Sequence, residues 1–178
     1  LLEASRRNIL PENSPSIVQP HYEIYDCLMQ DKYQLEEVVK TARPYEILSI
    51  IDQVRQTMKL MHLHGLLHGR LNAQSIRFVD GIAFVITDFD HVQDNVDQLS
   101  GAKSQKILEN GVFTAPEAFK AHEVGVISDY YSFGKILQSS ILETDNPNNV
   151  SDYVKVLSDH LTLENPNKRN MKILTLWY

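Results

Sequence analysis

An apolar stripe at helical spacing is the strongest feature in the pattern of hydrophobic and polar positions along the chain. Its members recur at steps of 4, 3, 4 and 3 residues, which keeps the side chains on one face of an α-helix. Pro44 suits the first turn of this helix, and Gly65 suits its end. The pattern therefore predicts a long amphipathic helix whose buried stripe consists of Ile47, Ile51, Val54, Met58 and Met61.

Two short runs rich in β-forming residues follow this helix, at 76–79 and 82–86. Asp80-Gly81 lies between them, and this dipeptide suits a two-residue turn because both turn positions need a positive φ. The two runs are therefore predicted to form a tight β-hairpin.

Other segments have weaker helical or extended patterns. Strand composition occurs at 17–18, 22–25 and 27–29, whereas the polar stretch at 91–110 predicts a long irregular loop. The fold class expected from all these elements is mainly α with small β-hairpins (α+β). Shorter helices are predicted at 1–10, 34–41, 128–142 and 169–176, and in a segment capped by Ser151 whose Val154, Leu157 and Leu161 face inward.

The composition is that of one ordinary globular domain, with 178 residues of which 43% are hydrophobic and 22% charged. The net charge of −6, with both signs interspersed, argues against nucleic acid or an anionic membrane as a partner. No apolar run approaches the roughly 20 residues that span a bilayer. The chain begins at Leu1 rather than Met and carries no targeting signal, so its localisation is open, with a weak preference for the inside of the cell.

Metal binding is not predicted from the cysteine and histidine content. Cys27 is the single cysteine, which excludes an internal disulfide and a cysteine-based zinc site. His62 and His64 lie close to His68, but no acidic or cysteine residue accompanies them at a ligand spacing. These histidines are therefore interpreted as structural.

Five short motifs follow one another along the chain. They are MHLHGLLH at 61–68, a 13-residue separation of Ser75 from Asp88, TAPE at 114–117, SDYYSFG at 128–134 and NPNKR at 165–169. In this order and with this spacing they resemble the C-terminal lobe of a protein kinase, although any one of them alone is a weak signal. The resemblance covers roughly residues 16–175.

The resemblance implies how the chain is divided. Residues 1–33 would be a remnant of the kinase N-terminal lobe, with the end of its helix, its last two strands and the hinge. Residues 34–178 would be a kinase-like C-terminal lobe. The glycine-rich loop and the phosphate-binding lysine of a kinase would lie before Leu1.

The resemblance also implies that two groups needed for phosphoryl transfer are replaced. A kinase uses an aspartate to accept the substrate hydroxyl proton, and an asparagine and a second aspartate to hold Mg²⁺. Arg70 stands at the position of the base, and a guanidinium, which stays protonated in proteins, cannot accept a proton. Ser75 stands at the position of the metal-binding asparagine, where a neutral hydroxyl is a weaker ligand. Asp88 remains as a weak candidate metal ligand.

Three further positions depart from the kinase pattern. Asn72 replaces the usual lysine or arginine of the catalytic loop, and Asp90 replaces the glycine that ends the metal-binding motif. Arg77 occupies the position whose apolar side chain forms the floor under adenine, where an unpaired charge is costly. A nucleotide in the usual pose is therefore not expected. The alternative is a one-residue shift of register that points Arg77 to solvent.

The residues that hold a kinase lobe together are better matched. His68 and Phe89 resemble two members of its hydrophobic spine. Asp129 resembles the carboxylate of the central helix that accepts hydrogen bonds from the catalytic-loop backbone. Glu117 and Arg169 resemble the buried ion pair that ties the activation segment to the lobe. We further expect Arg70 to pair with Asp88 or Asp90, or else to be solvated.

These replacements within a matched frame predict a catalytically inactive pseudokinase that needs no cofactor. It would act as a protein-interaction scaffold or allosteric regulator, with another protein as its partner, such as an active kinase or a signalling enzyme. The alternative is an atypical ATP-dependent phosphotransferase or nucleotide-binding enzyme. That enzyme would reuse Asp88 and take its N-terminal lobe from upstream or from another chain.

Overall fold

A computed structural model gives the fold, and it describes residues 33–79, 83–86, 93–94, 110–121, 125–143 and 150–169. The predictions for residues 1–10, 17–29 and 170–176 lie outside these ranges. The helices are α1 (Leu35–Thr41), α2 (Pro44–Leu63), α3 (Pro116–Ala121), α4 (Val126–Leu137) and α5 (Ser151–Leu161). The strands are β1 (Tyr33–Gln34), β2 (Leu66–Leu67), β3 (Ile76–Val79), β4 (Ala83–Ile86) and β5 (Gln93–Asp94).

The long helix α2 confirms the predicted stripe. Each of the five stripe residues is 4% exposed or less, and together they form the centre of the hydrophobic core. Pro44 occupies the first turn, and the N–H of Arg43 donates to Glu46 Oε2 at 2.7 Å. The helix ends at Leu63, and Gly65 follows with φ of 77°, a conformation that glycine adopts at little cost.

The two strands of the predicted hairpin are present as β3 and β4, whereas the predicted turn at Asp80-Gly81 and residue 82 lie outside the described residues. Strands β3 and β4 pair antiparallel from Ile76 opposite Ile86 to Val79 opposite Ala83. Strand β1 adds to the other side of β3, which gives a three-stranded sheet in the order β1-β3-β4. Strand β1 escaped prediction because two residues carry no readable alternation.

The polar stretch 91–110 is not wholly irregular, which corrects the loop predicted there. Within it, β5 pairs antiparallel with β2, placing Leu66 opposite Asp94 and Leu67 opposite Gln93. A two-residue strand formed by Gln93 and Asp94 has no β-propensity to reveal it, because its partner strand alone fixes its conformation.

The central helix α4 begins at Val126 rather than at 128 and ends at Leu137. A π-helical turn, Gln138–Leu142, continues it, so the segment predicted as one helix to 142 changes its hydrogen-bonding pattern. Most of α4 is buried, including Phe133 and Ile136; it packs against α5 and shares the hydrophobic core with α2.

Helix α5 confirms the predicted inward face, since Val154, Leu157 and Leu161 are all 1% exposed or less. Ser151 is its first helical residue and Val150 occupies the N-cap, so the prediction that Ser151 caps the helix is wrong. The described part of the chain is thus mainly helical with small strands, which confirms the expected class. None of its helices is long and apolar enough to cross a membrane.

Helices α4 and α5 approach each other closely at Gly134. A Cβ atom on this residue would lie 2.7 Å from the Cβ of Leu161 and 2.9 Å from the Cγ2 of Thr162. Thr162 cannot easily move aside, because its Oγ1 donates to the Ser158 carbonyl at 2.9 Å and accepts from the Gln138 side chain at 3.2 Å. Only glycine therefore fits this contact without a shift of the two helices.

We predict that Gly134→Ala destabilises the fold by about 1–3 kcal/mol through overpacking. In an unhindered helix the same change stabilises by roughly 0.5–1 kcal/mol. A decrease in the free energy of unfolding would therefore show that the added methyl group clashes with Leu161 and Thr162. Urea denaturation followed by circular dichroism measures it. Ser49→Ala, at an exposed position of α2, is the control and should stay within about 0.5 kcal/mol. Unchanged or increased stability of Gly134→Ala would contradict the prediction.

Candidate functional site

The loop between α2 and β3 carries four of the residues singled out by sequence, which are His68, Arg70, Asn72 and Ser75. After β2 the chain enters the core with His68, which is 1% exposed. Gly69 then turns the backbone with φ of 74°, and Arg70 emerges partly exposed. Leu71 returns to the core fully buried. We call residues 68–75 the central loop.

The side chain of Asp129, in α4, fixes the central loop through hydrogen bonds to its backbone. Its carboxylate is buried, and its Oδ2 accepts from the N–H of His68 at 3.0 Å. Its Oδ1 accepts from the N–H of Gly69 at 2.8 Å. Hydrogen bonds to a buried carboxylate are stronger than neutral ones, so two successive peptide groups are fixed by a single side chain.

His62 is a further partner of the same carboxylate, and sequence reasoning missed this role. Its Nε2 lies 2.9 Å from Asp129 Oδ2, and its ring meets the Tyr130 ring edge-on at 5.2 Å between centroids. Burial, followed by the charge of Asp129, raises the pKa of Tyr130 to about 12, which keeps its hydroxyl neutral. His62 thus belongs to a buried polar cluster beneath the loop.

Ser75 and Asn72 close a short 3-10 turn, Ala73–Ser75, at the end of the central loop. The Oγ of Ser75 accepts from the N–H of Asn72 at 3.3 Å, and Asn72 Oδ1 accepts from the N–H groups of Gln74 and Ser75. Ser75 has no exposed surface. Its hydroxyl is therefore engaged inside the turn rather than presented to a solvated ion.

The part of the chain that the structure describes contains no cluster of metal-ligating side chains. A divalent cation needs several oxygen ligands, preferably carboxylates. Within the described ranges no group of three His, Cys, Asp or Glu side chains could hold a metal, Ser75 is buried, and Arg70 adds a positive charge. Asp88, Phe89 and Asp90 lie outside the described residues, so the expected pairing of Arg70 with either carboxylate stays a prediction.

Arg77 lies at the centre of the three-stranded sheet, opposite Gln34 of β1 and Val85 of β4. Side chains alternate along a strand, so it points away from the face that buries Ile76 and Phe78. Arg77 is half-buried, and its Nη1 is covered without a hydrogen-bond partner among the described residues. That face of β3 therefore presents a guanidinium rather than an apolar surface.

Glu117 and Arg169 are brought together across 52 residues of sequence. Arg169 Nη1 donates to Glu117 Oε1 at 2.6 Å, and its Nη2 donates to Oε2 at 2.9 Å, so the ion pair is bidentate. Arg169 is 4% exposed, and its guanidinium carbon lies 4.7 Å from the centre of the Tyr131 ring. The pair anchors α3 to the 3-10 turn Pro166–Lys168 that precedes Arg169.

The environment of Glu117 favours its charged form. Burial alone would raise the pKa of this carboxyl, but hydrogen bonds from Arg169, from backbone and from Ser128, together with the charge of Arg169, hold the pKa below its usual value. The Ser128 hydroxyl donates to Oε1 at 2.9 Å. Glu117 is therefore ionised throughout the neutral range.

Two comparisons with known proteins bear on this arrangement. Residues 15–176 match the family model described as protein tyrosine and serine/threonine kinase. A curated relative, the dual specificity protein kinase zak2 of Dictyostelium discoideum, is 27% identical over 146 residues. That match covers 78% of this chain but 22% of the relative, so the chain spans about a fifth of the relative's length.

We predict that Asp129→Asn loosens the central loop. The amide nitrogen would face the N–H of either His68 or Gly69, and a buried donor left without an acceptor costs about 1–3 kcal/mol. Chemical denaturation should show the loss, and hydrogen exchange should quicken at residues 68–70. Asp159→Asn, at an exposed position of α5, is the control. Equal exchange of residues 68–70 in both variants would refute the role given to Asp129.

We predict that Glu117→Gln destabilises the chain by about 3–5 kcal/mol, because it leaves the buried Arg169 guanidinium without its carboxylate. The matched control is Glu164→Gln, since Glu164 is exposed and meets Arg169 through its main-chain carbonyl. Urea midpoints of the two variants give the comparison. Similar midpoints would contradict a buried, structural ion pair.

The same ion pair predicts a pH dependence. Because the folded-state pKa of Glu117 lies below its ordinary 4.5, its stabilisation is fully present above about pH 4.5 and is lost as pH falls through the lowered pKa. Wild type should therefore lose more stability than Glu117→Gln between about pH 6 and pH 3. Parallel curves of stability against pH for the two proteins would exclude this linkage.

Proposed function

Because the chain belongs to the protein tyrosine and serine/threonine kinase family, and its described part is a mainly α-helical, kinase-like C-terminal lobe, we propose that it is a catalytically inactive member, a pseudokinase. It acts as a protein-interaction scaffold or allosteric regulator. Its partner is another protein, such as an active kinase or a signalling enzyme.

One observation carries the proposal. The central loop, at the position of a kinase catalytic loop, presents neither a proton acceptor nor an accessible metal ligand at positions 70 and 75. Arg70 offers no proton acceptor at the position of the base. Ser75 is buried in the turn with its hydroxyl accepting from Asn72. A base and a metal ligand must both reach the reacting groups, and these side chains supply neither.

The contacts made by Asp129, Glu117 and Arg169 support a folded lobe, which the proposed scaffold role requires. Asp129 still fixes the loop, and Glu117 still pairs with Arg169. Each is a buried charge that would be costly to retain without its partners. A lobe with these contacts keeps a defined surface that a protein partner can recognise, even where the loop has lost its reactive groups.

A second candidate function rests on Asp88. An atypical phosphotransferase or nucleotide-binding enzyme would use this carboxylate for Mg²⁺, with an N-terminal lobe supplied upstream or by another chain. The relative zak2 is named a protein kinase, but this chain covers too little of it to carry that activity over. The positive charges of Arg70 and Arg77 make this candidate the weaker one.

We predict that Mg-ATP neither stabilises the protein nor donates phosphate. The test uses the longest natural polypeptide containing this sequence. A nucleotide at 100 times its Kd stabilises by about 2.7 kcal/mol, a shift of several degrees in Tm, so no shift at millimolar Mg-ATP is expected. Transfer of radiolabelled phosphate to itself or to a general substrate protein is also expected to be absent.

The control variant is Asp88→Asn, which removes the carboxylate that the second candidate needs. If wild type transfers phosphate and Asp88→Asn does not, the pseudokinase proposal is wrong and the second candidate is right. If both proteins are inert and neither shifts its Tm with Mg-ATP, the pseudokinase proposal stands. A trace of activity equal in both proteins would indicate a contaminating kinase and also leaves Asp88 without a role.

A further inference from the structure

A buried pair of amides joins the central loop to the segment that leads into α3. Asn110, at the start of that segment, is 8% exposed. Its Nδ2 donates to the carbonyl of Leu71 at 2.9 Å, and its Oδ1 accepts from Asn72 Nδ2 at 3.1 Å. One side chain thus grips the loop at two consecutive residues, 38 and 39 positions earlier in the chain.

Asn72 is itself held in place for this contact. Its Nδ2 also donates to the carbonyl of Arg70 at 3.3 Å, while its Oδ1 caps the 3-10 turn. Both polar atoms of the Asn72 amide are therefore used. Because the amide cannot rotate without giving up the cap, the donor aimed at Asn110 is already oriented before the segment arrives.

Further contacts fix the segment beyond Asn110. The Ser132 hydroxyl of α4 donates to the carbonyl of Phe113 at 2.7 Å, and the N–H of Thr114 donates to the carbonyl of Gly111 at 3.0 Å. The ion pair of Glu117 with Arg169 then holds α3. The segment 110–121 is thus held at Asn110, at Phe113 and at Glu117.

The cavity lined by both the central loop and the segment 110–121 is small. The cavity between loop and segment has a volume of ≈10 Å³, about the space of one water molecule. Gly69, Thr114 and Asp129 are among its lining residues. A phosphate group is several times larger than this cavity, so neither nucleotide nor a phosphorylated side chain is needed to fill the contact.

We propose that Asn72 and Asn110 form a neutral amide clasp that keeps the segment 110–121 docked on the central loop without phosphorylation, metal or nucleotide. In this chain the segment is constitutively ordered rather than switched. An amide pair carries no charge and does not titrate, so no kinase, phosphatase or change of pH acts on it directly. The proposal concerns conformation and does not depend on whether the chain transfers phosphate.

Hydrogen–deuterium exchange followed by mass spectrometry tests the clasp on the full purified chain, with intact mass confirming that it is unphosphorylated. The amides of 111–121 should be protected in wild type and change less than twofold with millimolar Mg-ATP. Asn110→Ala should quicken their exchange about tenfold or more, because it leaves buried polar groups without a partner. Gln74→Ala removes an exposed amide from the same turn and should change nothing.

The variant Asn72→Ser is designed to remove the hydrogen bond to Asn110 while keeping the cap of the 3-10 turn. A serine still caps a helical turn but cannot reach Asn110, so exchange should quicken in 111–121 while circular dichroism stays that of wild type. The proposal is overturned by any of three results. These are unprotected exchange of 111–121 in wild type, a change of less than twofold in Asn72→Ser, or global unfolding of Asn72→Ser, since the clasp is confined to this segment.

Discussion

The buried carboxylate of Asp129 is the interaction on which the rest of the described structure depends. A charge in the core must be met by donors, and here they are two backbone N–H groups of the central loop and the ring of His62. This requirement couples three elements, because α4 supplies the charge, α2 the histidine and the loop its peptide groups. Ser75 adds a side-chain contact of its own, because its Oγ accepts from the N–H of Asn72 at 3.3 Å.

The second constraint is that the segment 110–121 must stay on the loop. Its contacts combine one buried ion pair with several neutral hydrogen bonds, and the two kinds differ in what can disturb them. Protonation weakens the pair of Glu117 with Arg169, whereas nothing in the ordinary pH range alters the amide contact between Asn72 and Asn110. Acid should therefore weaken the attachment of the segment at Glu117, which pairs with Arg169, before it weakens the attachment at Asn110.

Sequence reasoning succeeded where one residue type has one dominant role. The stripe from Ile47 to Met61 could be read from spacing alone, because only a buried helix face produces it. The kinase family was recognised from five motifs in order, and the family comparison confirms it. Strand β5 and the π-helical turn could not be read, because tertiary partners determine both. His62 was read as structural but without a partner, and Asn110 was passed over, since a polar residue reveals its partner only after the chain has folded.

The central loop is held largely through its own backbone groups. Asp129 grips the N–H groups of residues 68 and 69, and Asn110 grips the carbonyl of Leu71. All three are backbone groups, which every residue type except proline supplies. The Arg70 side chain takes no part in these three contacts, whereas the Ser75 hydroxyl closes the 3-10 turn and the Asp129 carboxylate supplies two of the three. If the chain is the pseudokinase proposed above, the base at position 70 can therefore be replaced while the backbone contacts of the loop are kept.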